Sequence, residues 1–143
     1  MGRAIAKATM KEKTSMLTIY ASERTFQLFS YGVTHGQLLL RSCKTHTDPT
    51  RVDILFQQVR AMELRSWFEG IEIVEEDNPT FLASRPSRPV PMFDKEIRFY
   101  RLKGNGWEGF VVGGLVSYIE DDGDFFDPSG LIEDTIRTPV VPA

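Results

Sequence analysis

Asn105-Gly106 sits inside Lys95–Ile119, between two runs of aromatic and β-branched residues, and it constrains this chain more than any other dipeptide. Asn-Gly between alternating apolar residues is the strongest short-range hairpin signal, because both central residues of a type I′ turn need φ > 0. A two-residue loop there predicts a register in which Lys103 faces Glu108, Tyr100 faces Val111 and Phe99 faces Val112. One opposite-charge pair and two aromatic/β-branched pairs result, each contributing roughly 0.2–1 kcal/mol. The segment therefore reads as a β scaffold.

Other runs extend it. Thr25–Val33 and Gln37–Lys44 are strand-like and joined by Thr34-His35-Gly36, a connection of hairpin length with a glycine. Gly70–Asp77 opens with Ile71 and Ile73 on one face and Glu72 on the other. Gly113-Gly114 predicts a bulge or bend in the second strand of the hairpin.

Arg51–Phe68 is ambiguous. Val52, Leu55, Phe56, Val59 and Met62 fit a helical template, but Arg51, Gln58 and Arg65 would form a polar stripe splitting the apolar face. Val52, Ile54 and Phe56 alternate as a strand, with Gln57-Gln58 as a bend before Val59–Leu64, and this reading is favoured. The expected fold is mainly β: a single antiparallel β-barrel or small β-sandwich of about six to seven strands. A helix over residues 50–66 would instead give α+β.

The 143 residues fit one domain with its own core. Residues 1–15 read as a flexible basic extension, residues 16–136 as a single β-rich domain and residues 137–143 as a flexible tail. Pro79, Pro86, Pro89 and Pro91 mark residues 78–94 as a long connection, since proline is excluded from central strands. At 41% hydrophobic and 26% charged, the composition argues against global disorder. One cysteine, no spanning apolar run and no signal-like leader point to the cytoplasm.

Charge is divided unevenly. Residues 1–60 carry nine Lys/Arg against four Asp/Glu, and residues 61–143 carry eight against sixteen. Folding is expected to bring the halves together and cancel much of this field. The acidic half argues against a large phosphate-binding surface, so nucleic acid is disfavoured as a partner.

Chemical motifs are sparse. Asp121, Asp122, Asp124 and Asp127 could offer oxygens to Ca²⁺, but their spacing does not fit an EF-hand loop, and a solvated turn anchored by Phe125 and Phe126 is the simpler reading. His46 with Asp48 could form an oriented base, and Lys44 could lower the Cys43 thiol pKa, yet no nucleophile elbow accompanies them. Gly104–Gly106 and Gly113-Gly114 are turn and bend glycines rather than a phosphate loop. Trp67-Phe68 could be an exposed aromatic anchor for an interface, but the favoured reading packs Trp67 in the core beneath the Pro-rich connection.

The functional expectation is a non-enzymatic binding protein without cofactor, metal or membrane contact. It would meet another protein, basic in one version, through Glu72, Glu75, Glu76, Asp77, Arg85, Arg88, Asp121, Asp122 and Asp124. An inhibitor or immunity-type role is the concrete form. A second reading is a small-molecule carrier whose barrel mouth is lined by Tyr31, Trp67, Phe99 and Trp107. A third is a metal-dependent hydrolase using His46, Asp48 and the acidic turn.

Overall fold

The computed structural model describes residues 16–76 and 97–132. Within them lie eight strands and no helix: β1 (Met16–Gly32), β2 (Gln37–Ser42), β3 (Arg51–Phe56), β4 (Ala61–Glu63), β5 (Trp67–Glu76), β6 (Arg98–Gly104), β7 (Trp107–Gly113) and β8 (Val116–Asp121). All pair antiparallel in one sheet of order β4-β7-β6-β5-β1-β2-β3-β8. The chain is thus mainly β, and the helical alternative for residues 50–66 is overturned. No helix among the described residues is long and apolar enough to cross a membrane.

The sheet rolls over on itself. Phe56 of β3 and Tyr100 of β6 stand four places apart in the strand order, yet their rings meet at 5.5 Å. Alternate side chains from both halves fill the space between: Phe26, Leu38, Leu40, Val52, Ile54 and Phe56 face Phe68, Ile71, Ile73, Tyr100, Leu102, Trp107 and Val111. The barrel is not closed, because no ladder joins the end strands β4 and β8. A corner does the joining. The chain of β3 turns at Gln57–Arg60 into β4, and β7 turns at Gly113–Leu115 into β8. The corner is held by Gln57 N–H donating to Leu115 O (3.0 Å), Gly114 N–H to Gln57 O (2.7 Å) and Arg60 N–H to Val112 O (2.7 Å). Strands that switch sides through such bends are how orthogonal β packings make corners. The break at Gly113–Leu115, expected as a bulge or bend within one strand, divides it into β7 and β8 and takes the count to eight.

The Asn105-Gly106 hairpin has the expected register, Phe99↔Val112, Tyr100↔Val111 and Lys103↔Glu108. Its turn differs. Gly106 has φ +74°, but Asn105 does not adopt positive φ, so the turn is not type I′. A third strand intervenes: Asn105 N–H donates to Glu69 O (3.0 Å), which fixes that peptide from outside the hairpin. Gly104 is obligatory because a Cβ there would lie 2.3 Å from Gly70 O and 2.0 Å from Trp107 Nε1.

Trp67 is not in the core. It is 56% exposed while Phe68 is 1% exposed, since β5 alternates and gives the inward position to Phe68. A second apolar cluster, Phe99, Phe110 and Val112 of β6 and β7 with Ile97 just before β6, lies apart from the main core.

Candidate functional site

Strands β2 and β3 are buried on both faces, which a two-sided reading of their alternation explains. Leu38, Leu40, Val52, Ile54 and Phe56 face the core, and the opposite face carries Leu39, Arg41, Arg51, Asp53 and Leu55, also buried. The residues after β8 form a strap that crosses this second face.

Two arginines hold the strap. Arg41 and Asp53 are directly opposite in the β2–β3 register. Arg41 Nε donates to Asp53 Oδ1 (2.7 Å) and Nη2 to Oδ2 (3.0 Å), and the third donor, Nη1, reaches Phe125 O. The guanidinium stacks 4.1 Å from the centre of the Phe29 ring, which meets Phe125 edge-on at 5.2 Å. Arg51 forks onto Asp121 across the β3–β8 ladder, Nε to Oδ1 at 3.0 Å and Nη2 to Oδ2 at 3.1 Å. It also donates to the carbonyls of Asp124 (2.8 Å), Asp127 (2.9 Å) and Pro128 (3.1 Å). Buried charge of this kind persists only when paired and hydrogen-bonded. Two cations, Arg41 and Arg51, balance two anions, Asp53 and Asp121.

Burial alone would raise the Asp121 carboxyl pKa, but the Arg51 guanidinium and the Gly123 N–H (2.9 Å) hold it below the ordinary aspartate value. Gly123 lies so close that a Cβ would stand 2.5 Å from Arg51 Cζ. The strap is tied internally by Asp124 N–H to Asp127 Oδ2 (2.9 Å) and Asp127 N–H to Asp124 O (3.1 Å). Its outward side presents Phe126, 83% exposed, with Asp122 and Asp124. The expectation that both phenylalanines anchor the turn therefore holds for Phe125 alone.

The other acidic candidates are largely matched inside the molecule. Glu72 stands opposite Lys103 in the β5–β6 register, Glu75 pairs with Arg98 (3.1 Å), the buried Glu76 with Arg101 (2.6 Å) and Asp124 with Lys44 (3.0 Å). Asp77, Arg85 and Arg88 lie outside the described residues. Among the described residues no hydrogen bond or ion pair joins the Glu72–Glu76 segment to the strap. The barrel-mouth set is likewise dispersed: Trp107 is in the main core, Phe99 in the second cluster, Trp67 at the surface, and Tyr31 in an open groove.

That groove, of about 710 Å³, is lined by Tyr31, Val33, His35, Gln57, Gln58 and Arg60 among others. It lies outside the core, where the β1–β2 loop meets the β3–β4 bend, and Gln58 adopts φ +52° there. His46 has no hydrogen bond to Asp48 or Cys43. Its loop is organised by Thr45, whose Oγ1 accepts from the N–H groups of Thr47 (3.2 Å) and Asp48 (3.0 Å). Cys43 does not become acidic: burial pushes its thiol up despite the Arg41 charge nearby, and Lys44 is engaged by Asp124. Among the described residues no group of three or more His, Cys, Asp or Glu is placed to hold a metal ion.

The residues that sequence reasoning missed are Arg41, Arg51 and Asp53. The available signal was the placement of three charged residues in otherwise strand-like apolar runs, LLLRS and RVDILF. No family model matches the chain, and no curated protein or solved structure is significantly similar to it.

Proposed function

We propose that this chain is a non-enzymatic binding module that contacts another protein through the strap and the acidic end of β8. An inhibitor or immunity-type role toward a basic partner is its concrete form. One observation carries the reading: Phe126 is 83% exposed on a segment that two buried arginines fix to the sheet. A loop already held in place has little conformational freedom left to lose on binding. An exposed aromatic ring on such a loop is the kind of side chain that dominates binding energy at protein interfaces. Asp122 is exposed, and Glu120, 3.9 Å from Arg24, keeps a side chain 60% exposed; this negative charge at the surface favours approach of a basic partner. A ligand between the sheet halves would have to displace Phe56, Tyr100 and Leu102, all 1% exposed or less, and this weighs against the carrier reading.

The test is affinity capture from the producing cells at low and physiological salt, with wild type and Phe126→Ser side by side. The reading expects one stable protein partner, captured less well by Phe126→Ser and associating more slowly as salt screens the charges. Capture of no stable partner at either salt removes it.

A further inference from the structure

Among the described residues, strand β8 has a neighbour on one side only. Its ladder with β3 runs from Arg51↔Asp121 to Phe56↔Val116, and β8 ends the strand order. The bond from Gln57 N–H to Leu115 O sets the phase of that ladder. Antiparallel pairs alternate between those that exchange both backbone bonds and those that exchange none. Ser117, Ile119 and Asp121 are therefore the residues bonded to β3. The N–H and C=O groups of Val116, Tyr118 and Glu120 point the other way, and among the described residues no backbone hydrogen bond takes them. Exposed edges of this kind are usually blunted by proline or lysine, and residues 115–121 contain neither.

The edge also has a polarity. Its first part is apolar and open, with Leu115 62% and Tyr118 50% exposed. Its end is acidic: Glu120, Asp121, Asp122 and Asp124 follow within five positions, with no Lys or Arg between residues 115 and 124. Asp121 and Asp124 are matched by Arg51 and Lys44. Glu120 accepts from Thr50 Oγ1 (2.5 Å) and lies 3.9 Å from Arg24, yet its side chain stays 60% exposed, and Asp122 is exposed.

We propose that β8 is a docking strand for an extended segment of a second protein, which adds antiparallel along the open edge. Lys or Arg in the first half of that segment meets Glu120 and Asp122, and β-branched or apolar residues in its second half cover Tyr118, Val116 and Leu115. The proposal rests on the protein-binding reading above and states how the partner engages; β8 runs directly into the strap, so the two surfaces are continuous. Main-chain bonds to a free edge supply affinity in this mode, and alternate side chains supply specificity. A second copy fits poorly: β8 against β8, centred on Tyr118, would set each Glu120 opposite a Val116 and each Asp122 opposite a Gly114, so no cation would meet either acid across the seam.

The probe is a fluorescein-labelled peptide, Lys-Thr-Lys-Thr-Val-Thr-Ile-Thr, titrated with the full chain and followed by anisotropy. Saturable binding is expected, weakened at least about tenfold by N-methylation of alternate residues along one edge of the peptide and little changed by methylation along the other. Reversing the peptide order, so that the apolar half comes first, should weaken it as much. Tyr118→Pro removes an outward N–H without touching the β3 ladder and should also abolish binding; the methylated peptides decide the matter if that variant fails to fold. Equal binding by both methylated forms, or by the reversed peptide, overturns the proposal. So does slow hydrogen exchange at Val116, Tyr118 and Glu120 in the free protein, which would mean that the edge is already covered by this chain or, if sedimentation shows a dimer, by a second copy. A partner that photo-cross-links through position 126 but not through position 118 sinks the docking strand and leaves the binding-module reading in place.

Discussion

Arg41 and Asp53 face each other across β2 and β3 through two hydrogen bonds, and neither side chain reaches water. Removing one partner of such a pair leaves an uncompensated buried charge, which typically costs about 3–5 kcal/mol. Asp53→Ala is expected to lose that much in urea unfolding. The double variant Arg41→Met/Asp53→Leu should recover most of it while freeing Phe125 O, so that the strap becomes sensitive to protease in a stable fold. If the double variant unfolds as readily as the single one, unpaired charge is not the cause.

Acid should loosen the strap first. The folded pKa of Asp121 lies below its unfolded value, so its contribution to stability is present above the unfolded value and is lost as pH falls through the folded one. A fluorine label on Phe125 should report release at pH below about 4. In Asp121→Asn the same signal should already be present at neutral pH and change little with acid.

Alkali acts on the core. The Tyr100 hydroxyl donates to Gly114 O (2.8 Å), and burial, with the Glu75 charge, pushes its pKa up to about 12. A raised pKa favours the protonated form in the fold, so this stability is complete below the unfolded value of 10.0 and lost as pH rises through about 12. Thermal melts of wild type between those values should fall by an amount on the order of 2 kcal/mol that Tyr100→Phe does not show.

Neighbouring aromatics should behave oppositely. Phe68→Ala empties a site inside the main core and is expected to cost about 3–5 kcal/mol. Trp67→Ala, at a surface position, should change stability by about 0.5 kcal/mol or less. Similar losses for both would contradict the alternation of β5.

Gln58 holds a left-handed conformation at the corner between β3 and β4, φ +52°. Glycine adopts that region without the Cβ clash, so Gln58→Gly should raise the unfolding free energy by about 1 kcal/mol. A destabilised variant would mean that the Gln58 side chain contributes more at the corner than its backbone costs.

The hairpin of β6 and β7 was legible because the information that sets its register is local: three cross-strand pairs within sixteen positions, Arg98 to Gly113. The turn type was not, because the bond that decides it comes from Glu69, more than thirty residues earlier. Distance also hid the strap. Arg51 and Asp121 are 70 positions apart, and Arg41 and Phe125 are 84 apart. In sequence the acidic turn reads as a solvated loop, and nothing local shows that its carbonyls are claimed by two buried guanidinium groups. Trp67 was misassigned for a simpler reason: adjacent aromatics in a strand, here Trp67 and Phe68, cannot both face inward, and only the pairing with β1 decides which one does.

Strand β1 runs for 17 residues and changes partner midway, with β5 along Met16–Gln27 and β2 along Gln27–Gly32. Neither half of the sheet is complete without it, so among the described strands neither half can unfold first and leave the other standing. Cutting the backbone near Ser22, where the β1–β5 register slips, should abolish the whole cooperative transition, whereas an equivalent cut at the Val33–Gly36 tip should be borne.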